Sequence, residues 1–145
     1  MICRCYISKQ VDMYINRIII ISVFVLLFTG LHLQAENNKT IVQNVSAKQF
    51  ATLINEGKGQ LIDIRTPKEF NAGHIEGAQM IDFYSPDFKS QLTKLNKEQP
   101  VYIYCRSGNR TSQTVRIMQS MGFKEVVNLQ YGINDWYRSG MKLVQ

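Results

Sequence analysis

VYIYCRSGNR, at residues 101–110, is the stretch from which the rest of the chain is read. Val101, Tyr102, Ile103 and Tyr104 form a short β-branched and aromatic run after Pro100, so they predict a buried strand that delivers Cys105 to its C-terminal end. A helix is expected next. Over residues 110–121, Val115, Met118 and Met121 recur at near-helical spacing, and Gly122 stands where a left-handed helix stop belongs. The intervening CRSGNR is then a tight polar loop holding a thiol below a helix N-terminus. Free N–H groups and the helix dipole attract anions there, and the same field favours thiolate over thiol.

An unperturbed cysteine titrates near ~8.5 and is only a few per cent thiolate at neutral pH. A helix N-terminus contributes roughly 0.3 to 2 kcal/mol, or about 0.2 to 1.5 pKa units, which over most of that range leaves the thiol largely protonated. Arg106 and Arg110 add two fixed positive charges in the same loop. A lone cysteine at a strand end is more often a small buried hydrophobe than a nucleophile. Two arginines around a Ser-Gly-Asn turn argue for the nucleophile, because they call for an anion between them. They also answer the repulsion that a thiolate meets when it attacks an anionic substrate.

Two further motifs flank this loop: LIDIRTPKEFNAGHIEGAQMI upstream at residues 61–81 and NLQYGINDWYRSG downstream at residues 128–140. Taken in that order with CRSGNR, they resemble a single-domain rhodanese, a sulfurtransferase, over roughly residues 45–144. The resemblance implies an α/β domain with a central parallel β-sheet. It further implies that Cys105 takes a sulfane sulfur to form a persulfide, with Arg106, Ser107, Gly108, Asn109 and Arg110 as the anion cradle. The substrates implied are a small anionic sulfur donor and a cyanide or thiol acceptor, with no cofactor and no metal. The family often has Gly-Gly where Tyr131-Gly132 stands and a proline where Lys142 stands, so the last turn departs from its pattern.

Asp63, Arg65, Glu69 and His74 form a second constellation. Its carboxylates could serve acid–base chemistry, yet the spacing suits no metal and sulfur transfer needs no buried proton donor. We therefore expect Asp63, Arg65 and Glu69 to form one hydrogen-bonded network that braces the fold, with His74 a satisfied turn histidine.

The chain of 145 residues suggests one domain, and 45% hydrophobic with 19% charged residues supplies a core. Arg4, Lys9 and Arg17 precede an uncharged apolar run at residues 18–28, and Gln34-Ala35 leads into a polar segment. Residues 1–35 read as an export signal, with Met13 an alternative start, residues 36–44 as a linker and residues 45–145 as the domain. The competing reading is an uncleaved membrane anchor. Residues 18–33 as a helix would extend only about 24 Å against a hydrocarbon core of about 30 Å, which favours the signal. Contact with a membrane is then expected only during export, to the periplasm or beyond.

Removing residues 1–35 takes away Arg4, Lys9, Arg17 and Asp12, so the formal charge falls from +6 to about +4. Basic residues are scattered without interleaved aromatics, which argues against nucleic-acid binding. Cys3 and Cys5 would leave as well, so Cys105 would be the sole thiol of a monomeric exported domain, unable to form an internal disulfide.

The pattern elsewhere is alternating. Residues 40–45 are β-prone, Ser46 opens a helix with a capping box to Gln49, and residues 61–64 form a strand carrying Asp63. Residues 78–82 are expected as a strand, Ser85 as a helix cap with Pro86 in the first helical position, residues 125–129 as the last strand and residues 132–138 as a short helix containing Trp136. Such alternation predicts a parallel sheet with helices on both faces and a ligand site at the carboxyl ends of the strands.

Two rivals to sulfur transfer remain. A Cys-based phosphatase loop has five residues between Cys and Arg, whereas four separate Cys105 from Arg110, and Thr111 stands in the phosphatase position. The shortened loop would shrink the cradle by up to ~3.6 Å of chain. The other is a non-catalytic or sulfur-carrier rhodanese-like binding module, against whose non-catalytic form the presence of Cys105 argues.

Overall fold

Strand β4, Val101–Tyr104, is buried at all four positions and lies at the centre of a five-stranded sheet. The structure is a computed structural model and describes residues 39–145. The segment expected to be an export signal, the expected alternative start at Met13, Cys3 and Cys5 lie outside the described residues. Among the described residues no helix is long and apolar enough to cross a membrane.

The strands are β1 (Ile41–Val45), β2 (Gln60–Asp63), β3 (Gln79–Met80), β4 and β5 (Glu125–Leu129), and they run in the spatial order β1-β5-β4-β2-β3. Every pairing is parallel. Helices α1 (Ala47–Asn55), α2 (Pro67–Asn71), α3 (Phe88–Leu92) and α4 (Asn109–Ser120) fill the crossovers that parallel strands require, and α5 (Gly132–Arg138) follows the last strand.

Alternation along β4 divides the core. Val101, Ile103 and Cys105 join Phe88 and Leu92 of α3 and Val115 and Met118 of α4 on one face. Tyr102 and Tyr104 join Phe50 of α1 and Ile133 and Trp136 of α5 on the other. Side chains that alternate across a pleated strand covered on both sides give the near-continuous apolar run seen in the sequence. Phe50 meets Tyr102 and Trp136 edge-on at centroid distances of 6.0 and 6.4 Å, so the second face is an aromatic cluster.

Helix α1 starts where its capping box put it: Ser46 accepts from Gln49 N and the Gln49 side chain returns to Ser46 N. Three expectations are corrected. Residues 41–44 are not linker, because β1 pairs with β5 in register from Ile41↔Glu125 to Val45↔Leu129. The strand expected over residues 78–82 is only Gln79–Met80, at the sheet edge. Ser85 does not cap a helix. Its hydroxyl bonds the Asp87 carboxylate, residues 82–87 turn through Ser85 N–Asp82 O and Phe88 N–Ser85 O bonds, and α3 begins only at Phe88.

Candidate active site

Cys105 leaves the carboxyl end of β4 and the chain turns at once into α4. Gly108 caps that helix at φ +99°, a left-handed conformation that a side chain resists. A Cβ there would stand 2.1 Å from the carbonyl oxygen of Gln130, so glycine is required for space as well as for conformation. Gly108 donates its N–H to Cys105 Sγ at 3.2 Å, while its carbonyl accepts from Thr111 Oγ1 at 2.9 Å and Ser112 Oγ at 2.8 Å.

The opposite side of the loop is fixed by α5. Ile133 N donates to Cys105 O at 2.8 Å and Asn134 N to Arg106 O at 3.2 Å. Gly132, at φ +64°, allows this approach, since a Cβ there would fall 2.5 Å from both carbonyl oxygens. With its first carbonyls turned toward α5, the loop presents N–H groups to the sulfur. Burial pushes the Cys105 thiol up, but hydrogen bonds from the N–H groups of Thr111, Ser107, Gly108 and Arg110 outweigh it and hold the thiol below its ordinary value. Thr111, fully buried, has Oγ1 at 3.9 Å from Sγ.

Two arginines in this region have partners of their own. Arg65 makes a bidentate contact with Asp63, with Nη2–Oδ2 at 2.6 Å, reaches Gly73 O at 2.8 Å and lies over the Tyr104 ring at 5.6 Å. Arg110 is held by Glu69, with Nη1–Oε2 and Nη2–Oε1 both at 2.8 Å, and lies 5.7 Å from the Tyr84 ring centroid. The single network expected of Asp63, Arg65 and Glu69 is therefore two ion pairs, and Glu69 belongs to the one that reaches the active loop. The anion that the two loop arginines called for is, for Arg110, a carboxylate of the protein itself. Arg106, Ser107 and Asn109 are exposed, and among the described residues Arg106 has no ion-pair partner.

Glu69 is positioned by its own helix. Thr66 caps α2, and Glu69 Oε2 accepts from Thr66 N at 3.1 Å and Thr66 Oγ1 at 2.9 Å. His74 stacks on Phe70 at 3.8 Å, with Nδ1 3.2 Å from Phe70 O, and its backbone pairs with Val144. That geometry ties down a turn and leaves the histidine away from the sulfur's hydrogen-bond partners.

The Arg110 hydrogen bonds lower Glu69 to about 2, aided by Thr66 and opposed by partial burial. A folded-state pKa below the unfolded value of 4.5 means stabilisation that is complete above pH 4.5 and lost as pH falls toward 2. The melting-temperature difference between the wild type and Glu69→Gln should accordingly be largest near neutrality and close below pH 4.5. A difference independent of pH would show that the carboxylate charge is not what holds the loop.

A central parallel strand that ends on a cysteine beneath a helix N-terminus defines this chain as an α/β domain built around a thiol. The chain belongs to the Rhodanese-like domain family, whose model matches residues 46–139. It is 35% identical over 79 residues to the uncharacterized protein YqhL of Bacillus subtilis, covering 54% of this chain, and it spans 61% of that protein's length. To the thiosulfate sulfurtransferase GlpE of Tolumonas auensis it is 33% identical over 93 residues, 63% of this chain and 85% of that one. The solution structure of a rhodanese-like domain from Anabaena superposes with a TM-score of 0.62 at 26% identity, over 70% of this chain and 77% of that one.

Sequence reasoning missed Thr111, Gly132 and Tyr84 as neighbours of the site. Thr111 carried a signal as the residue in the phosphatase-arginine position and Gly132 as the retained half of a Gly-Gly pair beside the unexpected Tyr131, whereas Tyr84 carried none.

Proposed function

We propose that this chain transfers a sulfane sulfur from thiosulfate or a similar donor to cyanide or a thiol through a persulfide on Cys105. The observation that carries this reading is the convergence of loop N–H groups on Sγ, which stabilises a thiolate and leaves the exposed Arg106 at the loop. The thiolate attacks the outer sulfur of thiosulfate, a new S–S bond forms, the old one breaks and sulfite leaves with the electron pair. Cyanide or a thiolate then attacks the outer sulfur of the persulfide, and the electron pair of the broken S–S bond returns to Sγ. Neither step moves a proton to or from a buried acid, in keeping with the placement of Asp63 and Glu69 in ion pairs.

The same geometry disfavours phosphoryl transfer. The fully buried Thr111 stands in the phosphatase-arginine position, and Arg110 is engaged by Glu69. Thiosulfate:cyanide turnover measured beside aryl-phosphate hydrolysis should show the first and essentially none of the second; the reverse result would overturn the proposal. Export of the mature domain belongs to the same reading and is supported by the pattern of residues 1–35.

The arginines should separate by donor. Arg106→Ala should lower kcat/KM for thiosulfate about tenfold while sparing a neutral donor, since a charge-assisted contact to an oxyanion contributes roughly 1.5 kcal/mol or more. Arg110→Ala should harm both donors alike and match Glu69→Gln, because that pair holds the loop rather than the substrate. Equal donor selectivity in the Arg106 and Arg110 variants would contradict the division.

A further inference from the structure

A cleft of about 530 Å³ opens beside the active loop, bounded by α2, α5 and the C-terminal segment. Ser107 brings the loop into its wall, and Tyr131, Ile133, Tyr137 and Leu143 give it apolar faces. Tyr131 and Tyr137 are 54% and 74% exposed, whereas Tyr102 and Tyr104 are buried, so the two exposed rings are not core residues. A cleft of this size holds a small organic molecule rather than a bare anion such as cyanide.

The charges in the wall decide what that molecule carries. Arg65 is paired with Asp63, and Glu69 is paired with Arg110. Asp135, the acidic group of α5, accepts from Ala47 N. Among the described residues Arg138 has no ion-pair partner; its Nε donates to Asn134 O at 3.3 Å, which leaves the outer guanidinium N–H groups available. The uncompensated charge of the cleft wall is therefore positive. Its position is fixed by the helix that touches the loop. Ile133 N is bonded to Cys105 O, and Arg138 follows five residues later, about 8 Å along the axis.

We propose that this cleft seats the sulfur acceptor, a low-molecular-weight thiol with a carboxylate several bonds from its sulfur, lying against Tyr131 and Tyr137 with the carboxylate on Arg138. The inference rests on the sulfurtransferase reading and names the second substrate of the same site. The acceptor thiol loses its proton to water, its thiolate attacks the outer sulfur of the Cys105 persulfide, and an acceptor persulfide departs as Sγ regains the electron pair. A planar guanidinium on a helix end matches a carboxylate in two parallel hydrogen bonds, and the tyrosine rings cover the body of a flexible chain.

The test separates the two half-reactions. Protein loaded with inorganic polysulfide is checked by intact mass for one added sulfur, and is then unloaded by glutathione, a tripeptide thiol bearing carboxylates, or by neutral 2-mercaptoethanol. The glutathione to 2-mercaptoethanol ratio of unloading rate constants should fall about tenfold in Arg138→Ala, be largely restored in Arg138→Lys and fall further in Arg138→Glu. Use of a ratio removes differences in intrinsic thiol reactivity. Normal loading with a ratio unchanged across all three variants overturns the cleft assignment alone. Failure of the wild type to load overturns the persulfide reading, and the acceptor assignment falls with it.

Discussion

Replacing Cys105 with serine should abolish sulfur transfer, lowering turnover by at least about 10³-fold, while the domain keeps its fold. The substitution is nearly isosteric, and at 1% exposure Cys105 packs with Ile103, Val115 and Met118 in the core, so a hydroxyl of similar size fits the same space. The change is chemical. Loop N–H groups can hold a thiol below its ordinary pKa against the cost of burial, but no comparable shift brings an alcohol into range at neutral pH. Turnover with thiosulfate and cyanide checks this, with circular dichroism as the control for folding. Retention of a substantial part of the activity would show that another group is the nucleophile.

The second large effect is expected at Gly108. Alanine there must adopt a left-handed conformation, costing about 1 to 2 kcal/mol, and must also relieve a 2.1 Å approach to the Gln130 carbonyl. Ordinary contact begins near 3.4 Å, so the loop or the β5–α5 turn has to move by about 1 Å. Gly108 is the donor to Sγ, and a displacement of that size at a reacting atom can cost about 10²-fold in rate. Gly57 supplies the comparison. It too has positive φ, at +67°, but nothing lies within 4 Å of its would-be Cβ. Gly57→Ala should therefore lose about 1 kcal/mol of stability and no activity, whereas Gly108→Ala should lose both. Equal activity in the two variants would show that the close approach to Gln130 does not position the loop.

The same contrast shows where the sequence was informative. Local signals were strong wherever one residue's own chemistry settled its place. The β-branched and aromatic run ending on Cys105 became the central strand, Ser46 with Gln49 capped α1, and residues 125–129 and 132–138 became β5 and α5 at those bounds. The signal failed at Ser85 because its hydroxyl had a nearer partner in the Asp87 side chain than in the backbone, a competition that helix-start patterns do not encode. Residues 40–45 announced their β-propensity, but nothing local showed that residues 41–44 belong to the domain rather than to a linker, because their partner, β5, lies more than 80 positions away.

At the site, the loop residues could be named from the sequence but their partners could not. Glu69 and Arg110 are 41 positions apart, and nothing local distinguishes a carboxylate that binds Arg65 from one that binds Arg110. Helix α2 makes the choice, because the Thr66 capping box turns Glu69 toward the loop and leaves Asp63 to Arg65. Gly132 is similar: its role depends on the approach of α5 to the carbonyls of Cys105 and Arg106, a contact between two turns far apart in the chain.

The central claim is that Cys105 carries sulfur as a covalent persulfide. It is tested most directly by intact mass of the protein after exposure to thiosulfate and removal of the excess. The wild type should gain the mass of one sulfur atom, lose it on addition of cyanide, and the Cys105→Ser variant should gain nothing. No gain in the wild type, or an equal gain in both proteins, would contradict the account.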